Sequence, residues 1–359
     1  MNKPAASTKV SLGSFNFVKG IAISAIILGH IALEFDMAKL TWFYPLFIFC
    51  GIFKTAFIPL FFIISGYTYK KKPFAVTFKK TIRSLLIPYF VVMIAFTILH
   101  PAFTYIRTQN LASAVNWAIS IFLAFLLGIP IPGKQLLGFT LSHCSIVWFL
   151  LAAFWGYLLL NLVLKQRHII LQTILVVSCA VLGYLLFSLD FTFFCLPHGL
   201  IAVTYFYVGY VLKKLKVIEH GLKKKWLYAA WVIISLLYAC WGEFDLCYGK
   251  FAFFPMDYVG VIFLALLLMG IGLYVGRLDW PVFDDVYAMG AYSHWVLCLH
   301  SIEQKCLPWK LYTQWTANMP NLSFLFALLI KAVLISSVCM LIRKYSKRKY
   351  RKYKRKNEL

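Results

Sequence analysis

Three ionisable residues, Lys19, His30 and Glu34, interrupt an otherwise apolar stretch near the start of the chain. In a helix, eleven residues at about 100° each return His30 to within roughly 20° of Lys19, so both side chains lie on one face. The rise of about 1.5 Å per residue separates them by roughly 16 Å. Glu34 follows one turn beyond His30, within reach of the imidazole. Because histidine has an ordinary pKa of about 6.5, His30 is a candidate general base or nucleophile.

The composition indicates that this helix crosses a membrane. Of the 359 residues, 62% are hydrophobic and 13% are charged, whereas soluble domains average about 45–50% and about 25%. Apolar segments close to the length of a bilayer span recur along the chain. We therefore predict an all-α, polytopic transmembrane bundle that forms one domain, 1–342, followed by a basic cytoplasmic tail, 343–359. The first apolar run lacks a small-residue cleavage site, so we expect it to remain as the first span.

The hydropathy pattern predicts about ten spans. They lie at 15–35, 44–69, 84–105, 146–164, 169–187, 199–212, 226–241, 257–276, 286–302 and 321–342. A further apolar piece, Trp117–Ile129, is too short for a full crossing, and we expect a re-entrant or surface helix there.

The net charge of +24 comes mainly from lysine and arginine residues that cluster at the ends of the apolar segments. If both termini are cytoplasmic, these clusters fall on one side and most acidic residues fall at the other, as the positive-inside rule requires. This distribution argues against a nucleic-acid partner, and we expect the basic tail to bind anionic membrane lipids. The nine cysteines include no CxxC pair, so the sequence predicts neither a disulfide framework nor a metal site.

Five short motifs occur in order along nearly the whole chain. They are Lys19 with His30 eleven residues later, Pro59-Leu-Phe-Phe-Ile-Ile-Ser-Gly-Tyr67, Arg83-Ser-Leu-Leu-Ile-Pro-Tyr89, Trp148-Phe-Leu150, and Gly290-Ala-Tyr-Ser-His-Trp-Val-Leu-Cys-Leu-His300. Together they resemble the signatures of the integral-membrane acyltransferase 3 family, which includes polysaccharide O-acetyltransferases. In the last motif Cys298 stands where the family commonly has tyrosine.

The resemblance implies a multi-pass O-acyltransferase of the cell's inner (plasma) membrane. Such an enzyme moves an acyl group, usually acetyl, from acetyl-CoA or another acyl-CoA in the cytoplasm to a hydroxyl on the far side. The acceptor is a glycan or a lipid-linked sugar. No metal is implied.

Eight residues then have expected roles, some from the matching motifs and some from what acyl transfer requires. His30 and Glu34 are the candidate catalytic pair. Lys19 and Arg83 are expected to hold the phosphates of the donor, with hydrogen bonds from Ser65 and Tyr67. Trp148 and His300 are expected to line the acceptor site.

Each of these roles has a structural alternative. A buried histidine can simply be hydrogen-bonded to a carbonyl group. A hydroxyl can bond to its own helix. The basic residues between spans two and three can serve topology alone.

A transporter of a sugar or small solute, without covalent chemistry, is the rival interpretation. Lys54 and Lys331 lie within predicted spans and, together with His30 and Glu34, could line a substrate pathway. Many transporters, however, show repeat symmetry and pairs of helices broken by glycine or proline. We find neither pattern here, so the sequence favours an acyltransferase.

Overall fold

The computed structural model describes residues 12–136, 138–220, 225–276 and 283–337. Within these ranges the chain is a bundle of helices with two short hairpins, which confirms the all-α prediction. The basic tail 343–359, Lys223, Lys224 and Arg277 lie outside the described residues.

The first half of the chain forms eight helices. They are α1 (Leu12–Ala32), α2 (Tyr44–Phe53), α3 (Phe57–Tyr67), α4 (Phe74–Thr81), α5 (Ile87–Thr108), α6 (Leu111–Leu126), α7 (Trp148–Val163) and α8 (Ile169–Ser188). A hairpin between α6 and α7 pairs β1 (Gln135–Leu136) with β2 (Phe139–Thr140) in antiparallel register.

The second half supplies the remaining described helices. They are α9 (Leu196–Lys214), α10 (Val217–His220), α11 (Lys225–Trp241), α12 (Met256–Val275), α13 (Phe283–Ala291), α14 (Ser293–Cys306), α15 (Trp309–Trp315) and α16 (Pro320–Ser337). A second antiparallel hairpin pairs β3 (Phe244–Asp245) with β4 (Lys250–Phe251). Short 3-10 turns lie at Met37–Lys39, Thr41–Phe43, Ser145–Val147 and Phe193–Cys195.

Seven described helical segments are long and apolar enough to span a membrane, or eight if α2 and α3 form one bent span. The two predicted spans that do not meet this test are short or interrupted. The first, 226–241, corresponds to α11, and the second, 286–302, is divided at Tyr292 into α13 and α14. The apolar piece around Trp117 is the sixteen-residue helix α6, which packs against α5.

Two local irregularities shape the helices that surround the candidate site. The axes of the helical segments before and after Lys54 differ by 56°, so this lysine sits at a bend rather than in the middle of a straight span. The chain between α4 and α5 forms a π-helical turn, Ile82–Leu86. Such turns are rare and often occur at functional sites.

Glycines set the closest helix contacts in the bundle. A Cβ atom on Gly66 of α3 would lie 1.8 Å from the backbone oxygen of Phe206 in α9. A Cβ atom on Gly290 of α13 would lie 1.7 Å from the backbone oxygen of Asn16 in α1. Small residues allow helices in membranes to approach this closely. The glycines of the second and fifth sequence motifs are therefore required for packing.

We expect Gly290→Ala and Gly66→Ala to destabilise the bundle by about 1–3 kcal/mol each, because the added methyl group must push two backbones apart. The check is the thermal unfolding midpoint of each variant in detergent. Gly270→Ala is the matched control, since a Cβ at that position meets no atom within 4 Å. Equal midpoints for all three variants would contradict the packing role.

Candidate active site

A cavity of about 1050 Å³ runs along α1 from Lys19 to the end of the helix, with Leu33 just beyond it. Its wall is completed by α3, α7, α14, the segment before α7 and the β3–β4 hairpin. The volume lies at the top of the range of about 300–1,000 Å³ that is usual for small-molecule sites. Because it extends over fourteen residues of α1, or roughly 21 Å, it can hold a long ligand or two ligands end to end.

Lysines surround one end of this cavity, here called the basic end. They are Lys19, Lys70, Lys72 and Lys80. Hydroxyl groups from α3, α4 and the π-helical turn lie among them, at Ser65, Thr68, Tyr69, Thr77, Thr81 and Ser84. Ammonium and hydroxyl groups together are suited to binding phosphate.

A buried amide fixes the segment that carries these lysines. The side-chain nitrogen of Asn161 in α7 donates to the Tyr69 hydroxyl at 2.6 Å and to the Lys72 carbonyl at 2.9 Å. It also lies 3.1 Å from the Thr77 hydroxyl. Lys71 donates to the carbonyl of Leu164 at 2.6 Å and so points away from the cavity. The segment is therefore held against α7, which leaves Lys70 and Lys72 at the cavity.

His30 lines the cavity about 16 Å along α1 from Lys19 and lies beside a second histidine. Its ring is in edge-to-face contact with that of His300 from α14, with centroids 5.7 Å apart. The Nδ1 atom of His300 lies 2.8 Å from the Oε1 atom of Glu303. A neutral His300 that donates its Nδ1 proton to Glu303 has Nε2 as a hydrogen-bond acceptor. This Nε2 atom is buried without a partner among the described residues.

Glu303 is the centre of a buried polar cluster behind these histidines. Its carboxylate also pairs with the ammonium of Lys331 in α16. The indole nitrogen of Trp309 donates to its Oε2 atom at 3.1 Å. The same ammonium lies 4.1 Å from the centroid of the Trp309 ring, at a distance typical of a cation–π contact. Lys331 thus has a clear structural role.

The opposite end of the cavity carries charges of both signs. Glu243 and Asp245 from the β3–β4 hairpin lie there, as do Lys54 and Lys305. Trp148 forms part of the wall and is almost completely buried, packed at 5.0 Å between centroids against His198. Among the described residues, no group of three or more histidine, cysteine, aspartate or glutamate side chains could hold a metal.

Four of the eight residues singled out from the sequence line the cavity, namely Lys19, His30, Ser65 and Trp148. The other four lie outside its wall. His300 is buried behind His30. Arg83 is exposed on the π-helical turn, next to Ser84.

Tyr67 and Glu34 are the remaining two. Tyr67 is buried and packs against Phe15 at 5.0 Å between ring centroids. Glu34 lies two residues beyond the end of α1, and none of the hydrogen bonds of the described side chains joins it to His30. The glutamate that pairs with a histidine in this part of the protein is Glu303.

Sequence reasoning missed Glu303 and Asn161. The spacing of His300 and Glu303, three residues apart, places both on one helical face and was a usable signal for the first. Asn161 has no comparable signal, because its three oxygen partners lie 84 to 92 residues earlier in the chain.

The family comparison agrees with this architecture. The model of the acyltransferase 3 family, described as an acyltransferase domain, matches residues 12–341. The chain therefore belongs to that family and is a multi-pass membrane acyltransferase. No curated protein and no solved structure gives a significant match.

We expect Glu303→Gln and Lys331→Met each to lower the free energy of unfolding by about 3–5 kcal/mol, since each leaves an unpaired charge in a buried site. The double variant should lose less than the sum of the two. Thermal unfolding of the purified protein measures all three. Asp36→Asn is the control, because the ion pair between Asp36 and Lys39 is exposed to solvent. Strictly additive losses would show that the two charges do not stabilise each other.

Proposed function

We propose that the protein transfers an acetyl group from acetyl-CoA to a hydroxyl of a glycan or a lipid-linked sugar. The observation that carries this proposal is the position of His30. It lies in one continuous cavity, about 16 Å along α1 from Lys19 at the basic end, with polar and charged groups at the other end. A donor and an acceptor can therefore reach the same imidazole from opposite directions.

The basic end is suited to the coenzyme A part of the donor. Coenzyme A carries several phosphates, and four lysines face the cavity there. Their charges attract phosphate, and the neighbouring hydroxyl groups can donate hydrogen bonds to its oxygens. The acyl end of the donor is then free to extend along α1 toward His30.

In the proposed reaction His30 acts as a general base. It accepts the proton of the acceptor hydroxyl as that oxygen attacks the carbonyl carbon of the thioester. A C–O bond forms, the C–S bond breaks, and the leaving thiolate of coenzyme A takes the proton back from the imidazolium. The products are an ester and free coenzyme A. Because both substrates share one cavity, the transfer requires no acyl-enzyme intermediate.

His300 and Glu303 have a positioning role in this proposal. Glu303 holds the His300 ring through its Nδ1 atom, and the edge of that ring packs against His30. Lys331 and Trp309 in turn fix the carboxylate. The general base is thus supported by a rigid polar cluster, as triad histidines are supported by a carboxylate.

The acceptor enters from the end of the cavity that faces away from the basic loops. The basic clusters mark the cytoplasmic side by the positive-inside rule. The acceptor is therefore an extracytoplasmic or lipid-linked sugar, and the inner (plasma) membrane is the site of action.

We expect His30→Ala to reduce acetyl transfer by about 100- to 10,000-fold, the usual contribution of a general base. The assay follows free coenzyme A released by purified protein supplied with acetyl-CoA and a membrane glycan fraction. His168→Ala, which changes an exposed histidine at the start of α8, is the control. Undiminished release by His30→Ala would remove this residue from the mechanism. Uptake of sugar without any release by the unmodified protein would favour the transporter.

Lys19→Met should raise the KM for acetyl-CoA by about ten- to a hundredfold and leave kcat nearly unchanged, because it removes a phosphate contact far from the reacting atoms. Lys19→Arg should retain most of the affinity. Lys79→Met is the matched control, since Lys79 belongs to the same basic region but does not line the cavity. Equal KM values for the two methionine variants would exclude a donor contact at Lys19.

A further inference from the structure

A second cavity, of about 1160 Å³, lies beside the first. Its wall is formed by α5, α6, residues 132–133 and 138–143 around the β1–β2 hairpin, and Lys305 of α14, and we call it the polar chamber. The two cavities share three lining residues, Pro132, His143 and Lys305. A ligand in the polar chamber therefore lies next to one end of the first cavity, the end opposite the basic end. We call the first cavity, which contains His30, the catalytic cavity.

The lining of the polar chamber is suited to a sugar. Side-chain amides and hydroxyls face it from Asn116, Ser113 and Ser142. Trp117 offers a half-exposed indole ring, held by contact with His100 at 5.3 Å between centroids. Aromatic rings combined with a few placed polar groups are typical of sites for small polar ligands.

The charge of this lining has one sign. None of the described lining residues is an aspartate or glutamate, and Lys305 is the lysine among them. Its ammonium forms no salt bridge or hydrogen bond with the described residues. An unpaired lysine at the junction of two cavities is a ready partner for a carboxylate or phosphate.

His143 adds a neutral donor at the same junction. Its Nδ1 atom accepts a hydrogen bond from the backbone nitrogen of Ser145 at 3.0 Å. Burial, with a smaller contribution from the charge of Lys305, lowers its pKa to about 4. At neutral pH the ring is therefore uncharged, and its Nε2–H can donate to an anionic or hydroxyl oxygen.

We propose that the polar chamber binds the acceptor as an anionic saccharide, with its carboxylate or phosphate held by Lys305 and a nearby hydroxyl directed into the catalytic cavity. This inference rests on the proposed function, which it extends by naming the substrate class. Glu243 and Asp245 lie in the catalytic cavity and not in the chamber. They therefore disfavour a ligand that would turn its anionic group toward them.

Saturation-transfer NMR titrations of the full-length protein in detergent test this inference, because they detect weak binding directly. The three probes are methyl glucoside, methyl glucuronide and glucose 1-phosphate, tested without acetyl-CoA at low salt. We expect at least one charged sugar to bind about tenfold more tightly than the neutral one. Which charged sugar gains affinity distinguishes a carboxylate from a phosphate.

Variants of Lys305 test whether the tighter binding of charged sugars takes place in the polar chamber. Lys305→Met should abolish the preference for charged sugars, Lys305→Arg should retain it, and the exposed-lysine control Lys310→Met should leave it unchanged. Equal affinity for all three sugars, binding of none of them, or a preference that survives Lys305→Met would overturn the inference. Because the titration contains no donor, its result is independent of whether coenzyme A is released in the His30 assay.

Discussion

A carboxylate buried within a membrane protein must be paired, and in this protein that requirement organises the region around the candidate base. An uncompensated ion in such surroundings costs several kcal/mol. Glu303 avoids this cost through His300, Lys331 and Trp309, which come from α14, α16 and α15. Three consecutive helices are thereby tied to one point. Since His300 is part of the arrangement, its ring has a fixed position beside His30.

The basic end of the cavity depends on a different kind of interaction. There the lysines face an open space, where water or a ligand can solvate them, and the protein has only to fix the backbone that carries them. Asn161 does so from α7 by bonding to oxygens on both sides of the basic segment. The cavity thus joins a region ordered by a neutral amide to one ordered by a charged cluster.

What could be predicted from the sequence was largely local. The shared face of Lys19 and His30 follows from helix geometry within one segment, and both residues line the cavity. Glu34 was expected to continue that face, but α1 ends at Ala32 and the residue leaves the helical register. Tyr67 and Arg83 belong to recognisable motifs, yet neither lines the cavity, because Tyr67 packs against Phe15 and Arg83 is exposed on the π-helical turn.

Contacts between residues far apart in the chain account for the site residues that the sequence did not predict. Glu303 and Lys331 lie 28 residues apart on separate helices, and no sequence spacing joins such positions. The prediction of ten spans also lacked information on helix packing. Hydropathy detects apolar segments, but the bend near Lys54 and the interruption at Tyr292 depend on how neighbouring helices pack.

The contact between Gly290 and the backbone of α1 has a consequence for how this protein can work. A second close contact, between Gly20 of α1 and the backbone of Val286, lies on the same face. With two backbones in direct contact, α1 cannot roll or slide without separating from α13. α1 and α13 therefore form one unit, and any movement of one group of helices against another must carry the two together. The candidate base His30 is carried on α1, so its position is fixed relative to α13 whatever the other helices do.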